Sequence, residues 1–139
     1  KWRGENQGAL HTREELNINL GEQSTMEPNP EVFRESDMGG ELMDLLAGKS
    51  LLPMIEVNVL RRSFRVDTGE SLLEISIDKG EILTESGSRP LREVEIELFS
   101  GEQKELEALG EKLKERYSLE PEKDSKFAKG LMLLGMLKQ

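Results

Sequence analysis

Cysteine is absent from the 139 residues, which removes disulfides, a thiolate nucleophile and any zinc site built on sulfur. Histidine occurs once, at His11. It sits in a stretch of loop composition and reads as a solvated side chain, so no Ser/His/Asp set is available for covalent catalysis. No apolar run approaches the length of a membrane span. Cations are in deficit, with 19 Lys and Arg against 28 Asp and Glu and a net charge of −9. That balance argues against nonspecific nucleic-acid binding and against an anionic membrane surface. No secretory leader is expected ahead of the first strand, and a cytoplasmic location is the expected default. The chain opens on Lys1-Trp2-Arg3 with no methionine, so the numbering is expected to start partway into a longer polypeptide.

What the chain does have is charge in a regular order. Hydrophobic residues make up 35% and charged residues 34%, a balance that suits a thin-walled fold with a polar interior better than a thick apolar core. The length fits one domain spanning residues 1–139. Within Arg92 to Phe99, the run from Glu93 to Leu98 alternates strictly between acid and apolar residues, the period-two signature of a strand with unlike faces. Val94, Ile96 and Leu98 make one face; Glu93, Glu95 and Glu97 make the other. Carboxylates in such a row repel one another, and Glu is a poor strand former. The row is best tolerated where a divalent metal or a bank of Lys and Arg lies opposite.

Other segments share this two-faced character. Lys1 to Gly4 reads as the end of a strand, Glu5 to Leu10 as a loop, and Arg13 to Leu20 as a second strand with Leu16, Ile18 and Leu20 on its apolar face. Asn29-Pro30 starts a helical region, bent at Met38-Gly39-Gly40 and closed at Gly48. Ile55 to Val66 is the longest strand candidate; Arg61, Ser63 and Arg65 share one face, Leu60 and Phe64 the other. Asp67 to Glu70 carries turn chemistry. Leu73 to Asp78 returns as a strand, Asp78-Lys79-Gly80 turns again, and Glu81 to Thr84 is a short strand. Ser100-x-x-Gln103 reads as a capping box opening a helix with Leu106, Leu109, Leu113 and Tyr117 on one stripe. A last helix over Ser125 to Lys138 is nearly apolar from Leu131 to Leu137 and is expected to be well buried.

Collected, the polar faces offer Lys1, Arg3, Arg13, Arg61 and Arg65 against Glu15, Glu74, Asp78, Glu93, Glu95 and Glu97. An open sheet with a solvated face is the plain reading. A closed barrel with a charged lumen is the sharper one, because closure also removes the sheet edges. Such a lumen suits a strongly anionic ligand with a hard cation.

Arg61 in a strand, Leu-Glu-Ile-Ser-Ile-Asp-Lys-Gly-Glu-Ile (73–82), Glu-Val-Glu-Ile-Glu-Leu-Phe-Ser-Gly (93–101) and Ser-Lys-Phe-Ala-Lys-Gly (125–130) occur in that order. Together they resemble the C-terminal two-thirds of a CYTH domain, the triphosphate tunnel metalloenzymes, and Lys1 to Gly4 and Arg13 to Glu15 are similar to that family's middle strands. The resemblance implies an α+β fold: an antiparallel β-barrel (tunnel) of about eight strands with helices packed outside it. It implies Mg²⁺ or Mn²⁺ as cofactor and a triphosphate-containing small molecule as partner. Carried over by position, Glu93, Glu95 and Glu97 are the metal ligands, and Glu74 and Asp78 the catalytic or water-orienting acids. Lys1, Arg3, Arg13, Arg61, Arg65 and Lys126 match phosphate-binding positions. The family's opening Glu-x-Glu-x-Lys strand has no match here. The barrel is therefore expected to be incomplete at the N-terminus, with an upstream segment or a homodimer mate supplying the missing wall.

The reaction implied is metal-dependent hydrolysis of inorganic triphosphate. Thiamine triphosphatase and class IV adenylate cyclase activities belong to the same family and are alternatives. The small aromatic complement, one Trp, one Tyr and four Phe, offers few stacking platforms for a base or a thiazole and tilts towards the inorganic substrate. Two non-catalytic readings stand beside these: a polyanion-binding module, and an acidic interaction domain with no ligand.

Overall fold

The computed structural model describes residues 4–13, 15–20 and 28–138, with the backbone alone at 4–7. The chain divides into two compact units, one drawn mainly from the residues up to Pro53 and the other from Met54 onward.

Strands β1 (Gly4–Gln7) and β2 (Leu10–Arg13) pair as a two-stranded sheet. Gly8 makes the turn between them at φ +64°, a conformation suited to glycine. The stretch expected as a loop, Glu5 to Leu10, thus holds most of a hairpin, and the strand expected from Arg13 to Leu20 stops at Arg13. Alternation over residues 15–20 is not enough, because an extended segment becomes a strand only where a neighbour takes up its N–H and C=O groups. Ile18 and Leu20, placed on an apolar face by the alternation, are exposed. Pro30–Phe33 forms one 3₁₀ turn, capped by Asn29, whose Oδ1 accepts from the Glu31 N–H at 3.0 Å. Helix α1 (Gly39–Leu46) follows the expected break. A Cβ at Gly39 would lie 2.1 Å from the Phe33 carbonyl oxygen, so the bend needs glycine there. The helix ends in the left-handed region at Ala47, one residue before the glycine expected to close it.

The second unit is organised on an antiparallel sheet in the order β3-β4-β5: Glu56–Asp67, Leu72–Thr84 and Gly87–Ser100. The first turn is held by Asp67 Oδ1, which accepts from the Gly69 N–H at 2.8 Å. Asp78-Lys79-Gly80 does not turn; β4 runs straight through it. Gly80 is there for closeness, since a Cβ would come 1.9 Å from the Asn58 carbonyl oxygen of the neighbouring strand. Among the described residues the sheet is three-stranded and open, with β3 and β5 as its edges.

Register sorts the side chains onto two faces. Arg61, Ser63 and Arg65 stand opposite Asp78, Ser76 and Glu74, which stand opposite Glu93, Glu95 and Glu97. On the reverse face Phe64 aligns with Ile75 and Ile96, and Arg62 with Ile77 and Val94. Both faces carry a helix. Helix α2 (Gln103–Tyr117) covers part of the apolar face, where a Cβ on Gly110 would sit 3.8 Å from Ile96 Cδ1. Helix α3 (Lys126–Leu133) lies on the charged face, its Lys126 and Lys129 reaching Asp78, Glu93 and Glu95. Helices packed only on the apolar side do not describe this arrangement. Long cationic side chains let an otherwise apolar helix sit over carboxylates.

The core is small: Leu73 and Ile82 are fully buried and Leu91 nearly so. Several residues expected in it are not. Leu60 and Phe64 are exposed, because α2 packs mainly on β5, at the other edge of their face. Tyr117 falls at the open end of α2 and is exposed as well. The last helix is shorter than expected, and Met136 and Leu137 beyond it are exposed. Trp2 lies outside the described residues. The α2 cap also differs from the capping box. Glu102 is the N-cap and makes no side-chain cap bond; instead Ser71 Oγ, from the start of β4, accepts from the Glu102 N–H at 2.9 Å. This buried hydroxyl ties the helix start to the first turn of the sheet, whose Thr68 Oγ1 accepts from the Ser71 N–H at 3.0 Å. Ser71→Ala should therefore cost about 1 kcal/mol in urea unfolding, whereas Ser100→Ala should stay within about 0.5 kcal/mol. The reverse order would restore the local capping box.

Candidate functional site

Asp78 sits at the middle of the central strand, directly opposite Arg61 on one side and Glu93 on the other. Its side chain is fully buried, and burying an unpaired carboxylate is costly, so the surroundings must supply charge. They do so from two elements. Arg61 forks onto it from β3, Nε donating to Oδ1 at 2.7 Å and Nη2 to Oδ2 at 2.6 Å. The planar guanidinium matches both carboxylate oxygens at once. Its Nη2 also donates to Glu95 Oε2 at 2.5 Å.

The second source is α3. Ser125 caps it, its Oγ accepting from the Ala128 N–H at 3.1 Å, which fixes where the first turn begins. From that turn Lys126 Nζ reaches Asp78 Oδ2 at 3.0 Å and Glu95 Oε1 at 2.6 Å, and also pairs with Glu93. One turn on, Lys129 is 5% exposed and pairs with Glu93 at 3.1 Å and Glu122 at 2.9 Å. Three carboxylates from β4 and β5 thus face three cations from β3 and α3. Among the described residues no buried side-chain polar atom is left without a partner.

This exchange of charge sets the protonation of the cluster. The hydrogen bond from Arg61, with help from Lys126, holds Asp78 below the usual carboxylate range despite its burial. Burial pushes Glu95 up, but the Lys126 hydrogen bond and the charges of Lys126 and Arg61 outweigh it and keep that group low as well. Burial pulls Lys126 down, and its bonds to Glu93, Glu95 and Asp78 more than reverse this, so its ammonium is held charged far into the alkaline range.

Ligand atoms of Asp78, Glu93 and Glu95 lie within 4.8 Å of one another, close enough to share one cation. All are carboxylate oxygens, the donor type that suits a hard divalent ion such as Mg²⁺ or Mn²⁺. The Lys126 ammonium already occupies the meeting point of these oxygens, which shows that the set accommodates a cation. The residues present therefore fit a metal.

The site residues expected from sequence divide by position. Arg61, Asp78, Glu93, Glu95 and Lys126 are brought together. Glu97 is outside that set, two residues along β5 and opposite Glu74. Arg65 lies beside Glu74, with Nε 3.8 Å from its Oε2, and its guanidinium stacks 5.4 Å from the centre of the Phe99 ring. Arg13 is on β2 in the first unit, where its Nη2 donates to Nδ1 of His11 at 3.1 Å. Lys1 and Arg3 lie outside the described residues. Lys129 and Glu122 were not anticipated. The three-residue spacing from Lys126 to Lys129 puts both on one helix face and was legible; nothing local marks Glu122.

The depressed ionisation of Asp78 makes stability depend on pH with a definite sign. Its contribution is complete above the unfolded carboxylate value of about 3.9 and is lost as pH falls through the lower folded value. In metal-free buffer, urea unfolding should show Asp78→Asn destabilised at pH 7 by up to about 3 kcal/mol, the low end for a buried pair because Arg61 keeps part of its hydration. The difference from the parent should shrink steadily below about pH 4. A constant offset across that range would rule out the ionised Asp78 as the source.

The sequence model of the CYTH domain matches residues 3–131. That span takes in the whole three-stranded sheet, α2 and the turn of α3 that carries Lys126 and Lys129. Members of this family are generally metal-dependent enzymes acting on triphosphates, in keeping with carboxylates and guanidinium gathered on one sheet face. The chain belongs to the CYTH domain family.

Proposed function

We propose that the charged face of the β3-β4-β5 sheet binds a triphosphate together with Mg²⁺ or Mn²⁺, and that the protein hydrolyses inorganic triphosphate. The observation that carries this reading is the convergence of Asp78, Glu93 and Glu95 within 4.8 Å, with Arg61 and Lys126 in the same cluster. Carboxylates and cations interleaved at this distance suit a ligand that is itself a polyanion carrying a metal.

Asp78, Glu93 and Glu95 would hold the metal, which when bound neutralises phosphate oxygens and polarises the phosphorus centre. An ammonium and a divalent ion do not share the same three oxygens. Lys126 therefore leaves the carboxylates and, one side-chain length away, pairs with phosphate oxygens instead. Arg61 keeps its fork on Asp78 and offers its remaining N–H groups to the ligand. Further along the same face, Arg65 extends the cationic row for a longer chain of phosphates, and Glu74 with Glu97 stands ready to orient water. Phe99, an aromatic ring beside this row, is taken up by Arg65, which favours an inorganic triphosphate over one bearing a base. In the working state further strands pair with the edges β3 and β5 to close the tunnel.

The open sheet favours a second reading, a polyanion-binding module without hydrolysis, since in-line attack needs water held in a closed site.

A colorimetric phosphate assay with Mg²⁺, Mn²⁺ or chelator, alongside calorimetric titration of triphosphate, separates the two. Hydrolysis predicts metal-dependent release that Glu95→Gln lowers by about 100-fold or more. Arg61→Ala should instead weaken triphosphate binding by roughly tenfold or more. Binding without release supports the module. Neither binding nor release overturns both.

A further inference from the structure

The face of the sheet opposite the charged cluster is a surface in its own right. The register places nine side chains on it in a three-by-three grid: Phe64, Ile75 and Ile96 in one row, Arg62, Ile77 and Val94 in the next, Leu60, Lys79 and Arg92 in the third. Of these, Leu60 is 66% exposed, Phe64 53%, Ile77 44% and Val94 37%. Large apolar side chains this exposed and this contiguous are uncommon on a surface with no partner.

The three cations of the grid share a second property. None of Arg62, Lys79 and Arg92 takes part in an ion pair among the described residues, in a chain whose net charge is −9. On the charged face, by contrast, Arg61, Arg65, Lys126 and Lys129 each have a carboxylate nearby. Arg62 stands in the middle row of the grid, and Lys79 and Arg92 stand in the row farthest from Ile96, the residue that Gly110 of α2 covers.

The geometry points to this face as a docking surface for an acidic amphipathic helix of a partner protein. Its size suits one helix. Four residues along a strand span about 13 Å and three strands about 10 Å, against a helix diameter of about 10–12 Å. The fold already uses this mode at the adjoining end of the same face, where α2 covers Ile96 with Gly110 and a half-buried stripe of Leu106, Leu109 and Leu113. A helix laid beside α2 would bury Phe64, Ile77 and Val94 under its apolar stripe and set flanking Glu or Asp against Arg62, Lys79 and Arg92. A second copy in face-to-face contact is a poorer occupant, because it brings like charges together. An anionic membrane is poorer too, since the remainder of the chain repels it.

The test is fluorescence polarisation of two labelled synthetic helices of about 18 residues, roughly five turns, sharing one leucine stripe and flanked by Glu in one and Lys in the other. The protein should bind the Glu helix in preference to the Lys helix. Combined Arg62→Glu, Lys79→Glu and Arg92→Glu should reverse that preference, and Phe64→Ser should weaken binding by about tenfold or more. The charge reversals touch exposed, unpaired side chains and leave the core intact, so they decide the matter even where Phe64→Ser fails to fold. No binding of the Glu helix, or binding indifferent to the three reversals, overturns the proposal. So does a dimer in sedimentation that the reversals abolish, or tighter binding to phosphatidylserine vesicles than to the helix.

Discussion

A buried carboxylate in the middle of a three-stranded sheet is the constraint on which the second unit rests. Asp78 is 1% exposed, and a charge so placed is stable only with its counter-charges in position. Arg61 meets it from the neighbouring strand and Lys126 from a helix some fifty residues later in the chain. The pairing therefore does more than hold two strands in register. It draws α3 onto the charged face and, through Glu93 and Glu95, fixes β5 as well.

That arrangement divides the labour of the two faces in an unusual way. The apolar face has α2, with a stripe of leucines and a small core at Leu73. The charged face has α3, attached through lysines to carboxylates and through close packing of Gly130, where a Cβ would lie 2.6 Å from Ile55. Holding a helix by ion pairs leaves the cations exchangeable. A lysine that serves as a structural counter-ion without ligand is well placed to serve as an anion grip with one. The structure and the proposed triphosphate chemistry thus use the same atoms.

Much of this was legible in the chain. Strict alternation from Glu93 to Leu98, and from Leu73 to Asp78, determined which side chains share a face, because a strand's side chains have a period of two and no other choice. Arg61, Glu95 and Asp78 fell on one side as the parity required. The bend at Met38-Gly39-Gly40 was likewise a local matter, set by backbone freedom.

What the sequence could not carry was anything that depends on a partner far along the chain. Alternation over residues 15–20 was present and no strand formed there, since pairing is a property of two segments. Asp78-Lys79-Gly80 has turn composition, yet Gly80 serves the close approach of Asn58 across the sheet. The cap of α2 came from Ser71, thirty-one residues away in sequence, and outcompeted the local capping box. Burial was decided in the same way: Leu60 and Phe64 are apolar and correctly placed on their face, but α2 does not extend over them. The sequence by itself determined which residues lie side by side on a strand, since local geometry dictates it. Tertiary structure alone decided which face each helix covers, because that depends on charges and cavities supplied by distant segments.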